Sequence, residues 1–247
     1  MKSFYQKFNL WIPSPVQKVN FDFNDDIHLF IKRDDLIHNV ISGNKFRKLK
    51  YILSDFFQSD KSSLIAFGGQ YSNLLHALSI ITNELNINAH FYIMSYGKEV
   101  SNPTIDFIKK NNVDISFLSK SEFRKIRDND FLIHLQNQFP DAYIIPEGAS
   151  NYLATLGSSE IIDELTMQFD QFPDYIVMDI GTGGTFTGVL SKLPQNTKLI
   201  GIPVLKGVDW DMTLKNILGE DKFLNVNTNY EIIEKYHFGG FAKAEFK

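Results

Sequence analysis

No cysteine occurs among the 247 residues, which excludes disulfides, thiolate metal ligands and a cysteine nucleophile. Basic charge is not in excess either: 25 basic residues face 29 acidic ones, whereas a chain with a broad nucleic-acid-binding face is usually basic. The apolar runs are only as long as strands, and the first residues lack the apolar run of a signal peptide. We therefore expect a soluble, cytoplasmic protein without nucleic-acid or membrane partners.

The composition is that of a globular protein, with 43% hydrophobic residues. The length suits one large domain or two modest ones. The six histidines do not have the spacing of a common metal motif, so no metal site is expected.

Short apolar runs alternate with helical patterns from residue 27 to residue 204. Strands are predicted at 27–31, 63–67, 90–94, 113–118, 143–145, 175–180 and 199–204. The longer predicted helices cover 45–57, a stretch from about 72, a single helix over 122–138, and 152–169. This alternation predicts an α/β fold with a mostly parallel sheet and helices on both faces. Residues 220–247 have no closing helix or strand pattern and are predicted to be irregular.

Lys45 is the first candidate for chemistry. It lies in a predicted first helical turn, where the positive end of the helix dipole disfavours an ammonium group. Arg47, Lys48 and Lys50 add like charge, so the amine is pushed toward its neutral, nucleophilic form. Such an amine can form a Schiff base with a carbonyl group. Because first-turn lysines are often solvated surface residues, both interpretations stay open at this point.

Residues 68–73 (GGQYSN) form the second candidate site. They place Ser72 and Asn73 after a predicted strand and at the start of a helix. Ligands bind at the carboxyl ends of strands in open α/β sheets. A turn in which Ser72 merely caps the helix is the alternative.

The third candidate site is a glycine-rich segment between a predicted strand and a helix. Its residues are Gly181, Thr182, Gly183, Gly184 and Thr185. Their N–H groups can surround a phosphate at the positive helix end. Phe186 breaks the dinucleotide-binding pattern, and the Gly-Lys-Ser/Thr of a P-loop is absent. A structural glycine turn is the alternative.

The three segments together suggest an amine for a carbonyl, a polar strand end and a phosphate-binding loop. A cofactor with both an aldehyde and a phosphate would use all three, and pyridoxal 5'-phosphate has both. A nucleotide-binding protein using residues 181–188 is a weaker alternative, because the lysine and acidic partners of such sites are not at their spacing.

Five segments, in this order, resemble the 1-aminocyclopropane-1-carboxylate deaminase / D-cysteine desulfhydrase family. They are 31–36 (IKRDDL), 41–49 (ISGNKFRKL), 68–73 (GGQYSN), 146–151 (PEGASN) and 181–185 (GTGGT). The resemblance extends from Pro13 to about Gly240. It implies a pyridoxal-phosphate enzyme of the tryptophan synthase β-like fold, often homodimeric. Residues 1–52 and 150–247 would form its larger, cofactor-binding domain, and residues 53–149 its smaller inserted α/β domain.

The resemblance also implies roles for the candidate residues. Lys45 would carry the internal aldimine, Ser72 would face the substrate carboxylate or shuttle a proton, and Asn73 would hold the ring hydroxyl. The loop 181–185 would bind the phosphate. The implied reaction releases ammonia and a 2-oxo acid from a small amino acid, by an enzyme of the lyase or hydrolase class.

Two residues depart from the family pattern. Leu74 stands where the family usually has a polar residue, and Phe241 stands at what resembles the position of an active-site tyrosine. Family members also continue for several tens of residues, so the larger domain is expected to be incomplete at its C-terminus. A catalytically inactive or truncated homologue that binds pyridoxal phosphate weakly or not at all is therefore the alternative.

Overall fold

The structure is a computed structural model that describes residues 7–20, 27–41, 43–95, 98–226 and 229–236. Ser42 and Phe241, both named above, lie outside these residues. The chain divides into two compact units. Unit 1 comprises Met1–Trp11, Asp35–Phe46 and Ile52–Ala149, and unit 2 comprises Ile12–Asp34, Arg47–Tyr51 and Ser150–Lys247. The predicted domains share the boundary after residue 149 but assign residues 1–11, 35–46 and 52 to the larger domain, whereas these residues belong to unit 1. The division into functional domains stays a prediction.

Strands and helices alternate along the chain. The strands are β1 (Val16–Val19), β2 (Leu29–Lys32), β3 (Ser63–Gly69), β4 (Asn88–Met94), β5 (Asp114–Leu118), β6 (Ala142–Ile145), β7 (Tyr175–Ile180), β8 (Lys198–Pro203) and β9 (Tyr230–Ile232). The helices are α1 (Asn44–Gln58), α2 (Asn73–Leu85), α3 (Pro103–Lys110), α4 (Lys120–Arg124), α5 (Asn129–Gln138), α6 (Tyr152–Gln168), α7 (Gly184–Ser191), α8 (Trp210–Leu218) and α9 (Glu220–Phe223). None of the described helices is long and apolar enough to cross a membrane.

Unit 1 contains a four-stranded parallel sheet in the order β5-β4-β3-β6. In the central strand β3, residues 64–68 are buried. Such a continuous buried run is typical of a parallel strand covered on both faces. Burying each large apolar side chain contributes about 1.5–3 kcal/mol. The carboxyl end of β3 leads directly into the segment that carries Ser72 and Asn73.

Unit 2 contains a three-stranded parallel sheet in the order β7-β8-β9 and an antiparallel pair, β1 with β2. Its core includes Phe186, Leu190, Leu199 and Leu214, each at most 1% exposed. The glycine-rich loop joins β7 to α7 beside this core. The α/β fold predicted from the alternation of strands and helices is confirmed.

Two predictions about local structure were wrong. The single helix predicted over 122–138 is two helices, because Asp128 is extended and its side chain accepts the Asp130 N–H at 3.0 Å, capping α5. The tail that was predicted to be irregular contains α9 and β9, and Tyr230 of β9 pairs with Leu199 of β8. A three-residue strand is too short to show alternation, and this one is held by pairing and by packing on the core.

Candidate active site

The glycine-rich loop of unit 2 leads into a helix whose N-cap residue makes no side-chain capping bond. Gly183 is the N-cap of α7, and its φ of 88° is a left-handed conformation that glycine adopts without strain. Because glycine has no side chain, it makes no capping bond to the first-turn N–H groups. These groups carry the positive partial charge of the helix end, which attracts anions.

Two hydroxyls and one ammonium group gather at this helix end. Ser150 Oγ donates to Thr182 Oγ1 at 2.6 Å. Lys48 Nζ donates to Thr182 Oγ1 at 3.3 Å and to Ser150 Oγ at 3.4 Å. A Cβ on Gly184 would lie 2.9 Å from Lys48 Nζ and 3.1 Å from Ser150 Oγ, so glycine keeps this space open. We call Lys48, Ser150, Thr182, Gly183 and Gly184 the anion site.

The chemistry of the anion site fits a phosphate. Lys48 is only 3% exposed, and its ammonium group lies beside the positive end of α7. Two positive groups in a poorly hydrated place repel each other, and an anion between them relieves the repulsion. Hydroxyl, ammonium and backbone N–H groups are the donors that phosphate oxygens accept from.

Ser72 and Asn73 lie together in unit 1, at the carboxyl end of β3. Ser72 is half-buried and is the N-cap of α2, where its Oγ accepts the Leu75 N–H at 3.3 Å. Asn73 is the first residue of α2 and is exposed. The capping role offered above therefore holds for Ser72, whereas ligand binding at this strand end stays a prediction. The capping bond uses an oxygen lone pair and leaves the hydroxyl proton for another acceptor.

Lys45 is the second residue of α1, as the sequence predicted. Its half-buried side chain donates from Nζ to Asn44 Oδ1, and the first turn of the helix has no acidic residue. Lys45 and Lys48 are three residues apart, so they share one face of α1. Lys48 and Ser150 were quoted in the motifs but not predicted as site residues. The three-residue spacing was the signal that could have identified Lys48.

Two neighbours of Ser72 have structural roles. Leu74 is 1% exposed and packs in the core of unit 1, so its side chain is not available to a ligand. His76 stacks on Phe107 with ring centroids 4.1 Å apart, and burial lowers its pKa.

Two surface cavities lie away from these residues. One, of about 580 Å³, is lined by acidic and polar residues around α8, and the other, of about 350 Å³, is lined by apolar residues of β3, α5 and β6. Neither is lined by a predicted site residue.

Residues 9–211 match the sequence profile of the pyridoxal-phosphate-dependent enzymes. The chain belongs to this family. The match spans Lys45, Ser72, Asn73 and the loop 181–185, and it includes parts of both units. The cofactor and the family expected from the motifs are confirmed.

Similar proteins have narrower names. A Thermotoga maritima protein, provisionally named a 1-aminocyclopropane-1-carboxylate deaminase, is 29% identical over 93% of this chain and 77% of its own length. The bifunctional D-cysteine desulfhydrase/1-aminocyclopropane-1-carboxylate deaminase of Arabidopsis thaliana, a mitochondrial protein, is 30% identical over 72% of this chain. The match spans 48% of the Arabidopsis protein. These names are deaminase and desulfhydrase, which fit the lyase class better than the hydrolase class.

A solved structure has the same fold. The crystal structure of an ACC deaminase homologue superposes with a TM-score of 0.81, covering 98% of this chain and 79% of that one at 24% identity. At this identity the similarity establishes the fold.

Proposed function

We propose that this chain is a pyridoxal-phosphate-dependent deaminase or desulfhydrase that releases ammonia and a 2-oxo acid from a small amino acid. 1-Aminocyclopropane-1-carboxylate and D-cysteine are the two substrates to test, because they are named in the relatives. The observation that carries the proposal is the anion site at the N-terminal end of α7. Its donor set suits the phosphate of the cofactor, and Lys48 lies on the same face of α1 as Lys45.

The residues that would hold the cofactor follow from these positions. The loop 181–185, Ser150 and Lys48 would bind the phosphate, and Lys45 Nζ would hold the aldehyde carbon. Asn73 would bind the ring hydroxyl, as the family resemblance implies. When bound, pyridoxal phosphate supplies an electron sink for negative charge at the substrate α-carbon.

Lys45 and Ser72 would handle the protons. With D-cysteine, a neutral amine at Lys45 Nζ can take the α-proton. 1-Aminocyclopropane-1-carboxylate has no proton on its α-carbon, so its ring would instead open by attack of a nucleophile on a ring carbon, with the bond from that carbon to the α-carbon breaking. Ser72 Oγ can donate to the substrate carboxylate while its lone pair accepts the Leu75 N–H. Leu74 offers no polar side chain, so the carboxylate would depend on Ser72 and on backbone N–H groups at the start of α2.

The test is turnover by the purified chain with pyridoxal phosphate. Ammonia and 2-oxo acid are measured with 1-aminocyclopropane-1-carboxylate and D-cysteine, and sulfide is measured with D-cysteine. Lys45→Ala is expected to abolish release, whereas Lys109→Ala, an exposed lysine of α3, is expected to leave it unchanged. Absence of release from both substrates by wild-type protein would favour the inactive homologue instead. The similarity to named deaminases and desulfhydrases supports the active enzyme. A cytoplasmic location and a homodimer stay predictions.

A further inference from the structure

A buried charged residue directly precedes Lys48 on α1. Arg47 has 0% exposed surface, and two carboxylates bind its guanidinium group. Nε and Nη2 both donate to Asp34 at 2.8 Å. Nη1 and Nη2 donate to Glu164 of α6 at 2.8 and 2.9 Å. Both pairs are bidentate, the arrangement that fixes a guanidinium plane most firmly.

Lys32 and Ser14 complete this cluster. Lys32 Nζ donates to Glu164 Oε2 at 2.5 Å and to the Ser14 carbonyl oxygen at 2.7 Å. The Ser14 N–H donates to Glu164 Oε2 at 3.1 Å, and Ser14 Oγ donates to Asp34 Oδ1 at 2.7 Å. We call Ser14, Lys32, Asp34, Arg47 and Glu164 the Arg47 network. Burial alone would raise the pKa of Glu164, but the hydrogen bonds from Arg47 and Lys32 outweigh it and lower the pKa.

The backbones of α1 and α6 also touch next to the network. A Cβ on Gly157 would lie 1.9 Å from the Arg47 carbonyl oxygen, so only glycine permits this approach. One turn further along each helix, Tyr51 donates to Glu160 Oε1 at 2.8 Å. The contact at Gly157 therefore fixes the distance between α1 and α6. The two bidentate pairs of Arg47 fix the rotation of α1 about its axis.

A buried ion pair is weak evidence for stability, because desolvation offsets the attraction of the charges. The orientation of the Arg47 guanidinium group, in contrast, is strictly defined by its two bidentate pairs. Lys48 follows Arg47 by about 100° around the helix, so the rotation that satisfies Arg47 also determines where the Lys48 side chain points.

We propose that the Arg47 network positions Lys48, by setting the rotation of α1 so that Lys48 Nζ reaches Ser150, Thr182 and Gly184. Arg47 and Glu164 are thus positioning residues for the anion site. The inference rests on the proposed function, which assigns that site to the cofactor phosphate. It concerns affinity for a phosphate group and not the bond to Lys45.

Trp210 provides a direct measurement of that affinity in the protein without cofactor. Its indole is 5% exposed, and its Cζ3 would lie 3.8 Å from a Cβ on Gly183. The chain has two tryptophans, and Trp11 is 58% exposed. In a Trp11→Phe parent, fluorescence therefore comes from Trp210 alone, and titration with inorganic phosphate reports on the loop.

Two variants of this parent test the inference. Glu164→Gln removes one negative charge from the network at nearly constant side-chain volume. Arg47→Lys keeps the positive charge but loses both bidentate pairs. Each is expected to weaken phosphate binding by up to about tenfold, because the network acts through Lys48 and loss of one charged hydrogen-bond donor weakens binding by about this factor. The control is Leu193→Ala, a cavity in the core of unit 2 that leaves the network intact. Urea unfolding and circular dichroism establish the stability and folding of all variants.

The expected result is weaker phosphate binding by folded Glu164→Gln or Arg47→Lys, with Leu193→Ala binding like the parent. If both network variants bind like the parent, the inference is overturned while the proposed function stands. If Leu193→Ala weakens binding as much as they do at equal loss of stability, the network is merely structural. If the parent does not bind phosphate, the anion site is wrong, and both proposals fail. Formation of the bond at Lys45 is followed separately by visible absorption.

Discussion

Each unit has a strand-to-helix turn that contains two adjacent glycines. The two turns differ in the residue that stands at the cap of the following helix. Residues 68–73 join β3 to α2 in unit 1, and residues 181–184 join β7 to α7 in unit 2. Each contains two adjacent glycines: Gly68 and Gly69 end the parallel strand β3, and Gly183 and Gly184 are the N-cap and first residue of α7. In the first turn Ser72 caps its own helix, whereas in the second Gly183 has no side chain to do so.

The cap residue thus decides what a helix end can bind. In unit 1, one first-turn N–H is satisfied by Ser72 Oγ, and no lysine hydrogen bond is found at the described residues of this turn. In unit 2 the N-cap residue Gly183 makes no side-chain capping bond, and Lys48 donates to the hydroxyls beside the helix end. Similar glycine content therefore gives a self-capped turn in one place and an anion site in the other.

The largest expected effect comes from adding one methyl group to the second turn. Gly184→Ala places a Cβ 2.9 Å from Lys48 Nζ and 3.1 Å from Ser150 Oγ, in the space that glycine leaves open between these donors, and is expected to weaken phosphate binding about a hundredfold. Gly69→Ala is the matched change in the first turn, where a Cβ meets nothing within 4 Å. Trp210 fluorescence in the Trp11→Phe parent measures both. Equal phosphate affinity of the two variants would contradict the conclusion that the second turn, and not the first, binds the anion.

Removing the Lys48 charge is expected to have the next largest effect. Lys48→Met keeps most of the side-chain volume but loses a charged donor, which contributes about 1.5 kcal/mol or roughly tenfold in affinity. Lys50→Met is the control, because Lys50 lies on the same helix and pairs with Glu160 instead. Isothermal titration with pyridoxal phosphate measures the change. Equal losses in both variants would mean that only the overall charge matters.

Ser72→Ala tests the first turn and is expected to have a smaller effect. Loss of the cap lowers the free energy of unfolding by about 1 kcal/mol, measured in urea. Ser72→Thr retains a capping oxygen and serves as the control. Phosphate binding in unit 2 is expected to stay unchanged, and a change there would show that the two turns are not independent.

The smallest expected effect is a pH dependence of stability that differs between the two units. Burial lowers the pKa of His38, His76 and His90 in unit 1 below the ordinary 6.5. As the pH falls, these histidines take up protons in the unfolded chain before they do so in the folded protein. The neutral histidines therefore stabilise the fold fully above pH 6.5, and this stabilisation is lost as the pH falls toward their lowered pKa values. Glu164 in unit 2 also has a lowered pKa, so its contribution is lost only below about 4.5.

Hydrogen exchange at pH 7.5 and pH 5.5 measures this difference. Protection in unit 1 is expected to decrease more than in unit 2. His90→Asn reduces the loss, whereas His134→Asn, a change at an exposed position, does not. Equal decreases in both units would contradict the assignment to histidines.

The parts of the site that follow from local pattern were predictable from the sequence. Lys45 at the start of α1 and the loop 181–185 before α7 each follow from neighbours along the chain. Lys48 and Ser150 are different, because they approach Thr182 only after α1, α6 and β7 have packed. The Arg47 network likewise joins residues from positions 14 to 164, and no short window of sequence contains it.

Fold prediction had the same limit. The longer strands and helices show clear periodicity, so most were predicted near their observed bounds. The break at Asp128 depended on a side chain competing with the helix backbone, and β9 depended on pairing with β8. The cap at Asp128 and the pairing of β9 are interactions that the periodicity of apolar residues does not reveal.

The most direct test of the account is to find the lysine that bonds the cofactor. The chain is loaded with pyridoxal phosphate, reduced with borohydride and digested, and the phosphopyridoxyl group is located by mass spectrometry. We predict modification of Lys45, with Lys48 unmodified because its ammonium group serves the phosphate. Modification of Lys48 instead, or no modified lysine in α1, would contradict the assignment of the two lysines.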